Sequence, residues 1–216
     1  MTDIQVAEHQ SSPSWLRILA RLYDPTLFIG EMAGMRRRRK ALLQNARGRV
    51  VEIGAGTGLN IRHYPDDIAE LTLFEPELAM RRRLAHRLQR RPGLAHVVDA
   101  TAERLPLPDA SVDTVVSTLV LCTVDDPEGA LREIARVLRP DGQLLFIEHV
   151  RATSRFVAAC QDRMLAPWRS FGGGCRCNRP TVHLMRACGF TVAAEDATWR
   201  GMPLIVHPLA IGRASR

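Results

Sequence analysis

The sequence has few aromatic residues, a single lysine and no long apolar run. Aromatic residues make up 5% of the 216 residues and do not alternate with the arginine runs, so we expect no base-stacking surface and no nucleic-acid partner. No apolar run approaches the ~20 residues that cross a bilayer, so we expect no transmembrane segment and at most a peripheral membrane contact. The net charge of +7 is almost all arginine. We expect the runs at 36–40 and 81–83 on exposed helix faces.

The cysteines do not form a recognisable metal-binding or disulfide pattern. There are five of them, and no secretory signal precedes them, so we expect reduced thiols and a cytoplasmic protein. Cys175 and Cys177 lack the second ligand pair of a zinc-finger motif, and we therefore expect no metal ion. The sequence indicates no oligomeric state.

The length and the hydrophobic patterning predict one α/β domain with a substantial core. Short apolar runs alternate with helical patterns after residue 48, which is typical of a doubly wound, mostly parallel sheet. Asp126 and Pro127 form a typical helix start, with a capping acid followed by a proline. We expect strands at 49–53, 71–74, 96–98, 112–117 and 143–149, helices at 77–90, 127–138 and 180–188, and an antiparallel pair of edge strands at 190–198 and 204–212.

No second domain is expected within residues 1–216. Apolar residues recur at helical spacing before the first strand, and Asp24-Pro25 is expected to divide them into two helices. After the fifth strand we expect an irregular stretch at 151–179 that acts as a lid, with the glycines at 172–174 as its hinge. The expected parts are a helical cap at 1–47, a cofactor-binding core at 48–150, a lid at 151–180, and a C-terminal helix and strands at 181–216.

The glycine-rich stretch after the first strand lacks the spacing of two common nucleotide motifs. The dinucleotide motif G-x-G-x-x-G needs its third glycine at position 59, where this chain has Leu59. No Gly-Lys-Ser/Thr follows either, which excludes a phosphate-binding P-loop. What is present is Glu52, Gly54, Gly56 and Gly58 after a strand, where glycine allows a ligand to approach the backbone closely.

Two acids indicate which ligand this loop binds. Glu75 ends the second strand, 23 residues after Glu52, where a carboxylate can accept hydrogen bonds from both ribose hydroxyls of a nucleoside. Glu52 stands just before the glycines, where it would repel a pyrophosphate and attract a cation. S-adenosylmethionine (SAM) carries a sulfonium and an ammonium. These residues therefore favour SAM over NAD, FAD or a nucleoside triphosphate.

Four segments together resemble the class I SAM-dependent methyltransferases: VVEIGAGTG, LTLFEPE, TAERLPLPDASVDTVVS and LREIARVLRPDGQLLFIEHV, within residues 48–150. The resemblance implies a Rossmann-like sheet of seven strands with an antiparallel last strand. Many relatives have an acid where this chain has Thr101, so the adenine contact is expected from neighbouring positions. The resemblance implies a SAM site formed by Glu52, Gly54, Gly56, Gly58, Asn60, Glu75, Pro76, Ala102, Glu103 and Thr118.

The segments STLVLCTVDD, FIEHV and CQDRMLAPWRSFGGGCRCNRPTV are similar to the methyltransferase-like thiol S-methyltransferases. Animal members of that branch methylate alkyl thiols at the endoplasmic reticulum. The resemblance implies a small, largely apolar thiol as the acceptor. This chain departs from the animal members because it lacks their apolar N-terminal anchor.

His149, at the carboxyl end of the fifth predicted strand, is the candidate general base or acceptor-positioning residue. A thiol ionises near pH 8.5 and needs little help from a base, so no enzyme nucleophile is expected. Cys122, Trp168 and Phe171 are candidate acceptor-site residues, together with Trp15 and Phe28. The alternative for these side chains is ordinary core and lid packing.

Two other functions remain compatible with the same motifs. One keeps SAM but moves the methyl group to oxygen, nitrogen or carbon of a quinone, a secondary metabolite or a phospholipid headgroup. The other is a SAM-binding partner protein without catalytic activity.

Overall fold

A computed structural model describes residues 14–89, 93 and 95–216, and the side chains in these ranges from residue 20 onward. In this part of the chain seven strands form one sheet in the order β3-β2-β1-β4-β5-β7-β6. The first five strands are parallel, and β7 is antiparallel to both of its neighbours. The strands are β1 Arg49–Ile53, β2 Glu70–Phe74, β3 His96–Val98, β4 Val112–Thr118, β5 Leu138–His149, β6 Thr191–Thr198 and β7 Pro208–Ser215.

The helices connect these strands and cover the sheet. Glu77 and Asp126 cap the helices that follow β2 and β4, and their side chains accept hydrogen bonds from the backbone N–H groups of Ala79 and Gly129. The predicted cap at Asp126 is therefore confirmed. The helices are α1 Ser14–Gly30, α2 Arg36–Leu43, α3 Leu78–Leu88, α4 Pro127–Val137, α5 Arg155–Arg163, α6 Leu165–Phe171 and α7 Thr181–Ala187.

The core lies on both faces of the sheet, as expected for a doubly wound fold. Neighbouring residues of a strand point to opposite faces. Val50 and Leu145 lie in the apolar cluster on the face of α2 and α3, whereas Val51 and Leu144 lie in the cluster on the face of α4 and α7. The strand order reverses between β1 and β4, so the carboxyl ends of these two strands border the crevice in which such sheets bind ligands.

The sequence predicted that the N-terminal helices divide at Asp24-Pro25, and this prediction is wrong. Helix α1 continues through Pro25, and the adjacent Asp24 is fixed by hydrogen bonds from the side chains of Thr57 and Arg87. The helical path is interrupted at Gly34, whose φ of 129° is accessible to glycine but not to most residues. Glycine, not proline, therefore sets the angle between the two helices.

Two further expectations in the C-terminal third were wrong. The stretch at 151–179 is not irregular, because it contains α5 and α6. The last strand begins at Pro208, not at 204, because Leu204–Val206 forms a 3-10 turn. Ile205 and Val206 point into an apolar cluster with three cysteines, so the turn buries the residues whose apolar character had suggested a strand.

The arginine runs also differ from the expectation that they face solvent. Arg39 and Arg81 are buried, although their neighbours in the two runs are more exposed. Arg81 donates to the carbonyls of Glu75 and Pro76 and pairs with Asp99 at 2.7 Å. It therefore holds the chain that leaves β2.

A buried carboxylate on β5 fixes the loop that follows β4. Glu148 accepts hydrogen bonds from the Ser117 hydroxyl and from the consecutive backbone N–H groups of Val120, Leu121 and Cys122, at 2.7–3.0 Å. Glu148 and Ser117 have no exposed surface. Buried donors that lose their acceptor are costly, so this carboxylate holds the loop in one conformation.

We predict that Glu148→Gln destabilises the fold by about 2 kcal/mol. The substituted amide would direct an NH₂ group at N–H donors that now face a carboxylate oxygen. The measurement is urea unfolding followed by circular dichroism. Glu195→Gln is the matched control, because Glu195 lies exposed on β6 and should change the free energy of unfolding by less than about 0.5 kcal/mol. Equal effects of the two substitutions would contradict the assigned role.

Candidate functional site

The glycine loop after β1 takes a backbone conformation that suits glycine at each of its three positions. Gly54, Gly56 and Gly58 have φ values of 56°, 56° and 83°. A Cβ on Gly54 would lie 2.6 Å from Val120, and a Cβ on Gly58 would lie equally close to Ile61. These two glycines are therefore required by close packing of the loop against its neighbours.

Gly56 differs from the other two glycines because a Cβ there would meet no atom closer than 4.0 Å. The space beside it belongs to a small cavity at the carboxyl ends of β1 and β4. Its φ of 56° and this open space indicate that a ligand can contact the backbone of Gly56 directly. The cavity is lined by Tyr23, Arg39, Glu52, Gly54, Ala55, Gly56, Thr57, Leu59, Asn60 and Thr118.

Glu75 contacts the same loop from the end of β2. Its side chain accepts hydrogen bonds from the backbone N–H groups of Gly56 at 2.7 Å and Glu77 at 2.9 Å. Each carboxylate oxygen has one of these bonds and retains a second lone pair. Burial raises the pKa of Glu75. The structure thus brings Glu75 to the glycine loop, as the sequence predicted, at the position where a ribose is expected.

Glu52 lines the cavity but is held by side chains of the protein. Its two oxygens accept hydrogen bonds from Asn60 Nδ2 at 2.8 Å and from the Tyr64 hydroxyl at 2.7 Å. Burial raises the pKa of Glu52 to about 7. A cation in the cavity would lower that pKa again, because it favours the carboxylate over the carboxylic acid.

Asn60 and Thr118 line the cavity too, but hydrogen bonds within the protein occupy most of their polar atoms. Asn60 donates to Glu52 and to Thr118 Oγ1, and its Oδ1 accepts from Arg39 Nη1 at 2.9 Å. Arg39 Nη1 also donates to Thr118 Oγ1 at 3.1 Å. These two predicted cofactor residues therefore shape the cavity and orient Glu52.

Two further residues that line the cavity, Arg39 and Tyr23, were not predicted from the sequence. Arg39 is 3% exposed and also pairs with buried Glu31 at 2.9 Å, which anchors the N-terminal helices over the cavity. Tyr23 comes from α1, and burial raises its pKa to about 12. Arg39 stands in a run of five basic residues, and the sequence does not distinguish it from its exposed neighbours. Tyr23 is a single tyrosine in an amphipathic helix, which is not a pattern that predicts ligand binding.

The predicted adenine-side residues are less closely grouped. Pro76 follows Glu75 directly and is exposed, whereas Ala102 packs in the core beside Ile53 and Phe74. Glu103 is half-buried in the same loop after β3. None of the three lines the cavity described above.

A second polar cluster lies beyond the same ends of β4 and β5. His149 Nδ1 is 3.4 Å from the sulfurs of both Cys122 and Cys175, which are 3.8 Å from each other. His149 is 4% exposed, and the two cysteines are buried as well. The structure therefore brings two predicted residues, His149 and Cys122, together with a third that the sequence analysis did not assign to the site.

His149 is also positioned by two residues outside the cysteine cluster, Trp199 and Thr181. Its ring stacks on Trp199 with centroids 5.6 Å apart, and its carbonyl accepts a hydrogen bond from the Thr181 hydroxyl at 3.0 Å. Within the described residues its Nε2 is buried without a hydrogen-bond partner. Trp199 gave no signal in the sequence, because its contact with His149 depends on the pairing of β6, β7 and β5.

The lid candidates differ in their placement. Trp168 is half-buried and packs against the cysteine cluster, whereas Phe171 is 66% exposed and its ring is tilted by 51° to that of Trp168, with 5.9 Å between centroids. Phe28 on α1 is 62% exposed. The side chain of Trp15 lies outside the described residues. Of the predicted aromatic residues, Trp168 is therefore the one that borders the buried cluster.

The sequence contains no apolar run long enough to predict a transmembrane segment. In the part of the chain that the structure describes, every helix is too short or too polar to span a bilayer.

Comparisons with known proteins agree with this architecture. Residues 51–146 match a family model described as a methyltransferase domain. The chain is 36% identical over 172 residues to thiol S-methyltransferase TMT1B of Rattus norvegicus, which covers 76% of this chain and 69% of the relative. It is 34% identical over 145 residues to phosphatidylethanolamine N-methyltransferase of Cereibacter sphaeroides, which covers 66% of this chain and 70% of that one.

Among solved structures, the chain resembles a Thermotoga maritima SAM-dependent methyltransferase, described as a possible histamine N-methyltransferase. The TM-score is 0.67 at 22% identity, over 93% of this chain and 97% of the other. At this identity the likeness concerns the fold, and it confirms the expected seven-stranded class I architecture.

We predict that Gly56→Ala weakens SAM binding at least tenfold, because the methyl group would enter the open space beside the loop and the φ of 56° is unfavourable for alanine. The measurement is isothermal titration calorimetry with SAM and with S-adenosylhomocysteine.

Gly189→Ala is the matched control for the backbone cost. Gly189 also has a positive φ, of 89°, and open space around its Cβ position, but it lies after α7, outside the cavity lining. Both variants should lose similar stability, and Gly189→Ala should bind SAM as the parent protein does. Unchanged SAM binding by Gly56→Ala would contradict the placement of the ligand.

We also predict that SAM binds about fivefold more tightly at pH 7 than at pH 6, because the ligand cation prefers ionised Glu52 and the free protein holds a proton there up to about pH 7. The same raised pKa gives the ligand-free fold stability that is fully present below about pH 4.5 and lost as the pH rises through about 7.

Calorimetry in buffers of different ionisation enthalpy measures the proton released on binding. In Glu52→Gln the release and the dependence of affinity on pH should both be lost. A pH-dependence that persists in Glu52→Gln would assign the proton to another group.

Proposed function

Since this chain belongs to the SAM-dependent methyltransferases, we propose that it transfers the methyl group of SAM to the thiol of a small, largely apolar molecule. The observation that carries the proposal is the second cluster, beyond the ends of β4 and β5. There, buried sulfur and imidazole atoms lie among apolar residues at the ends of β4 and β5. The 36% identity to a thiol S-methyltransferase over most of the chain supports the same acceptor atom.

The residues around the cavity fit SAM in charge and in shape. Gly56 leaves the space that a Cβ would fill, Glu52 offers a carboxylate to the cationic methionine part, and Glu75 has free lone pairs for the ribose. Bound SAM supplies an electrophilic methyl group. We assign Pro76, Ala102 and Glu103 to the adenine side on the basis of the family pattern.

The protein contributes position and exclusion of water more than acid–base chemistry. Methyl transfer from a sulfonium is an in-line displacement, for which orientation and a dry site are the main requirements. Trp168 and the apolar side chains of Ile205 and Val206 surround the cysteine cluster and would keep water from an apolar acceptor. We propose that α5 and α6 form the lid over this acceptor site.

A second candidate function is N-methylation of an amine. The observation that favours it is the 34% identity to a phosphatidylethanolamine N-methyltransferase, which covers a similar share of both chains. An amine acceptor is protonated at neutral pH and has to lose a proton before it attacks. N-methylation therefore requires a general base, for which His149 Nε2 is the candidate.

We predict turnover of simple alkyl or aryl thiols, and at least 100-fold slower turnover of amines and phenols of similar size. The measurement is transfer of a labelled methyl group from SAM, with mass spectrometry of the product to locate the methyl group. Gly56→Ala is the control for background methylation. Efficient methylation of an amine or a phenol with inert thiols would contradict sulfur as the acceptor atom.

A further inference from the structure

The cluster of Cys122, His149 and Cys175 has the dimensions of a metal site. In tetrahedral zinc sites the Zn–S distance is about 2.3 Å and the Zn–N distance about 2.0–2.1 Å. Those lengths place two sulfurs about 3.8 Å apart and a sulfur and a nitrogen about 3.6 Å apart. The observed separations are 3.8 Å between the sulfurs and 3.4 Å from each sulfur to His149 Nδ1. We propose that these three side chains bind one zinc ion.

Hydrogen bonds can account for only two of the three contacts in this arrangement at one time. His149 Nδ1 has either one lone pair or one proton, yet both sulfurs lie at the same distance from it. One cation just out of the plane of these three atoms would instead contact all three. Two cysteine thiolates and an imidazole form a ligand set that zinc accepts.

Hydrogen bonds to their backbones hold the segments of the three ligands in place. Cys122 N–H donates to Glu148 at 3.0 Å, and the Cys122 carbonyl accepts from Arg176 N–H at 2.8 Å. The His149 carbonyl accepts from the Thr181 hydroxyl. Cys175 directly precedes Arg176, so the same backbone bond joins the segments of both cysteines. Ligands fixed by their supporting residues lose little entropy when the ion binds.

The sequence pattern does not predict this site. Its ligands are separated by 27 and 26 residues along the chain, from three different segments, so they match no compact cysteine and histidine motif. They meet because β4 and β5 are neighbours in the sheet and the segment after α6 folds back over their ends.

Three protein ligands leave the fourth tetrahedral position open, as in catalytic zinc sites. Within the described residues, the group of potential ligand atoms contains these three residues and no further Cys, His, Asp or Glu. The site lies near the predicted cofactor cavity along the chain, since Thr118, which lines that cavity, ends β4 four residues before Cys122.

The role of the open position rests on the proposed function. The acceptor thiol would bind zinc through sulfur and lose its proton to solvent. The zinc-bound thiolate then donates an electron pair to the methyl carbon of SAM, and the S–C bond of the sulfonium breaks. Its electrons stay on that sulfur, which leaves S-adenosylhomocysteine and a neutral thioether that binds zinc weakly and departs. No oxidation or reduction occurs.

The test uses the full-length protein with Co²⁺ as the spectroscopic probe and Zn²⁺ as the competitor. We expect one Co²⁺ per chain, with the intense near-ultraviolet absorption of thiolate-to-cobalt charge transfer, and loss of that absorption when Zn²⁺ is added. Folded parent protein that gives no such absorption would overturn the proposal, and this result needs no variant.

Variants locate the site. Cys122→Ser and Cys175→Ser should each lose at least half of the charge-transfer absorption, and His149→Gln should weaken Co²⁺ binding at least tenfold. The matched control is Cys188→Ser, because Cys188 is a partly buried cysteine outside the cluster and should leave the spectrum unchanged. Circular dichroism shows whether each variant is folded. Full absorption in both folded cysteine variants would overturn the assignment.

A thiol titration separates this proposal from the proposed function. Metal binding is measured without SAM or acceptor, so it does not depend on which atom is methylated. Addition of a simple alkyl thiol to the Co²⁺ protein should shift the absorption, because a third sulfur enters the coordination shell. Cobalt absorption that the thiol leaves unchanged would overturn the thiol as fourth ligand while the three-residue metal site stands.

Discussion

The buried guanidinium of Arg39 joins the segments that form the cofactor cavity. Its nitrogens donate to Glu31 in the N-terminal helices, to Asn60 after the glycine loop and to Thr118 at the end of β4. A buried charge is tolerated when its partners are in place and is very costly when one of them is missing. The helical cap and the sheet are therefore one cooperative structure at this point, and Glu52 receives its orientation through Asn60 from the same centre.

The cluster of Cys122, His149 and Cys175 depends in the same way on Glu148. This single carboxylate accepts from three consecutive backbone N–H groups and so determines where Cys122 lies relative to His149. Arg39 and Glu148 thus act on opposite sides of β4. One orients the groups that line the cavity, and the other orients the sulfur and imidazole atoms beyond the ends of β4 and β5.

The features that the sequence predicted correctly depend on residues close together along the chain. The strands up to β4, the cap at Asp126 and the glycine loop all follow from local periodicity or from backbone preferences, and they were confirmed with small changes in their ends. The burial of Arg39, the cluster around His149 and the contact of Trp199 depend on which distant segments meet. The error at Pro25 has the same origin, since tertiary hydrogen bonds of Asp24 accompany a helix that local propensity would end.

Because β7 lies between β5 and β6, the sheet is completed only after the C-terminal residues have been synthesised. A chain emerging from the ribosome presents β5 before its final neighbour exists, because residues 208–215 are synthesised more than fifty positions later. Until then β5 is an open sheet edge, which invites wrong pairing. The stacking of Trp199 on His149 also waits for this step. The strands β1 to β4 can thus pair during translation, whereas the surroundings of His149 are completed last, when β7 covers the open edge.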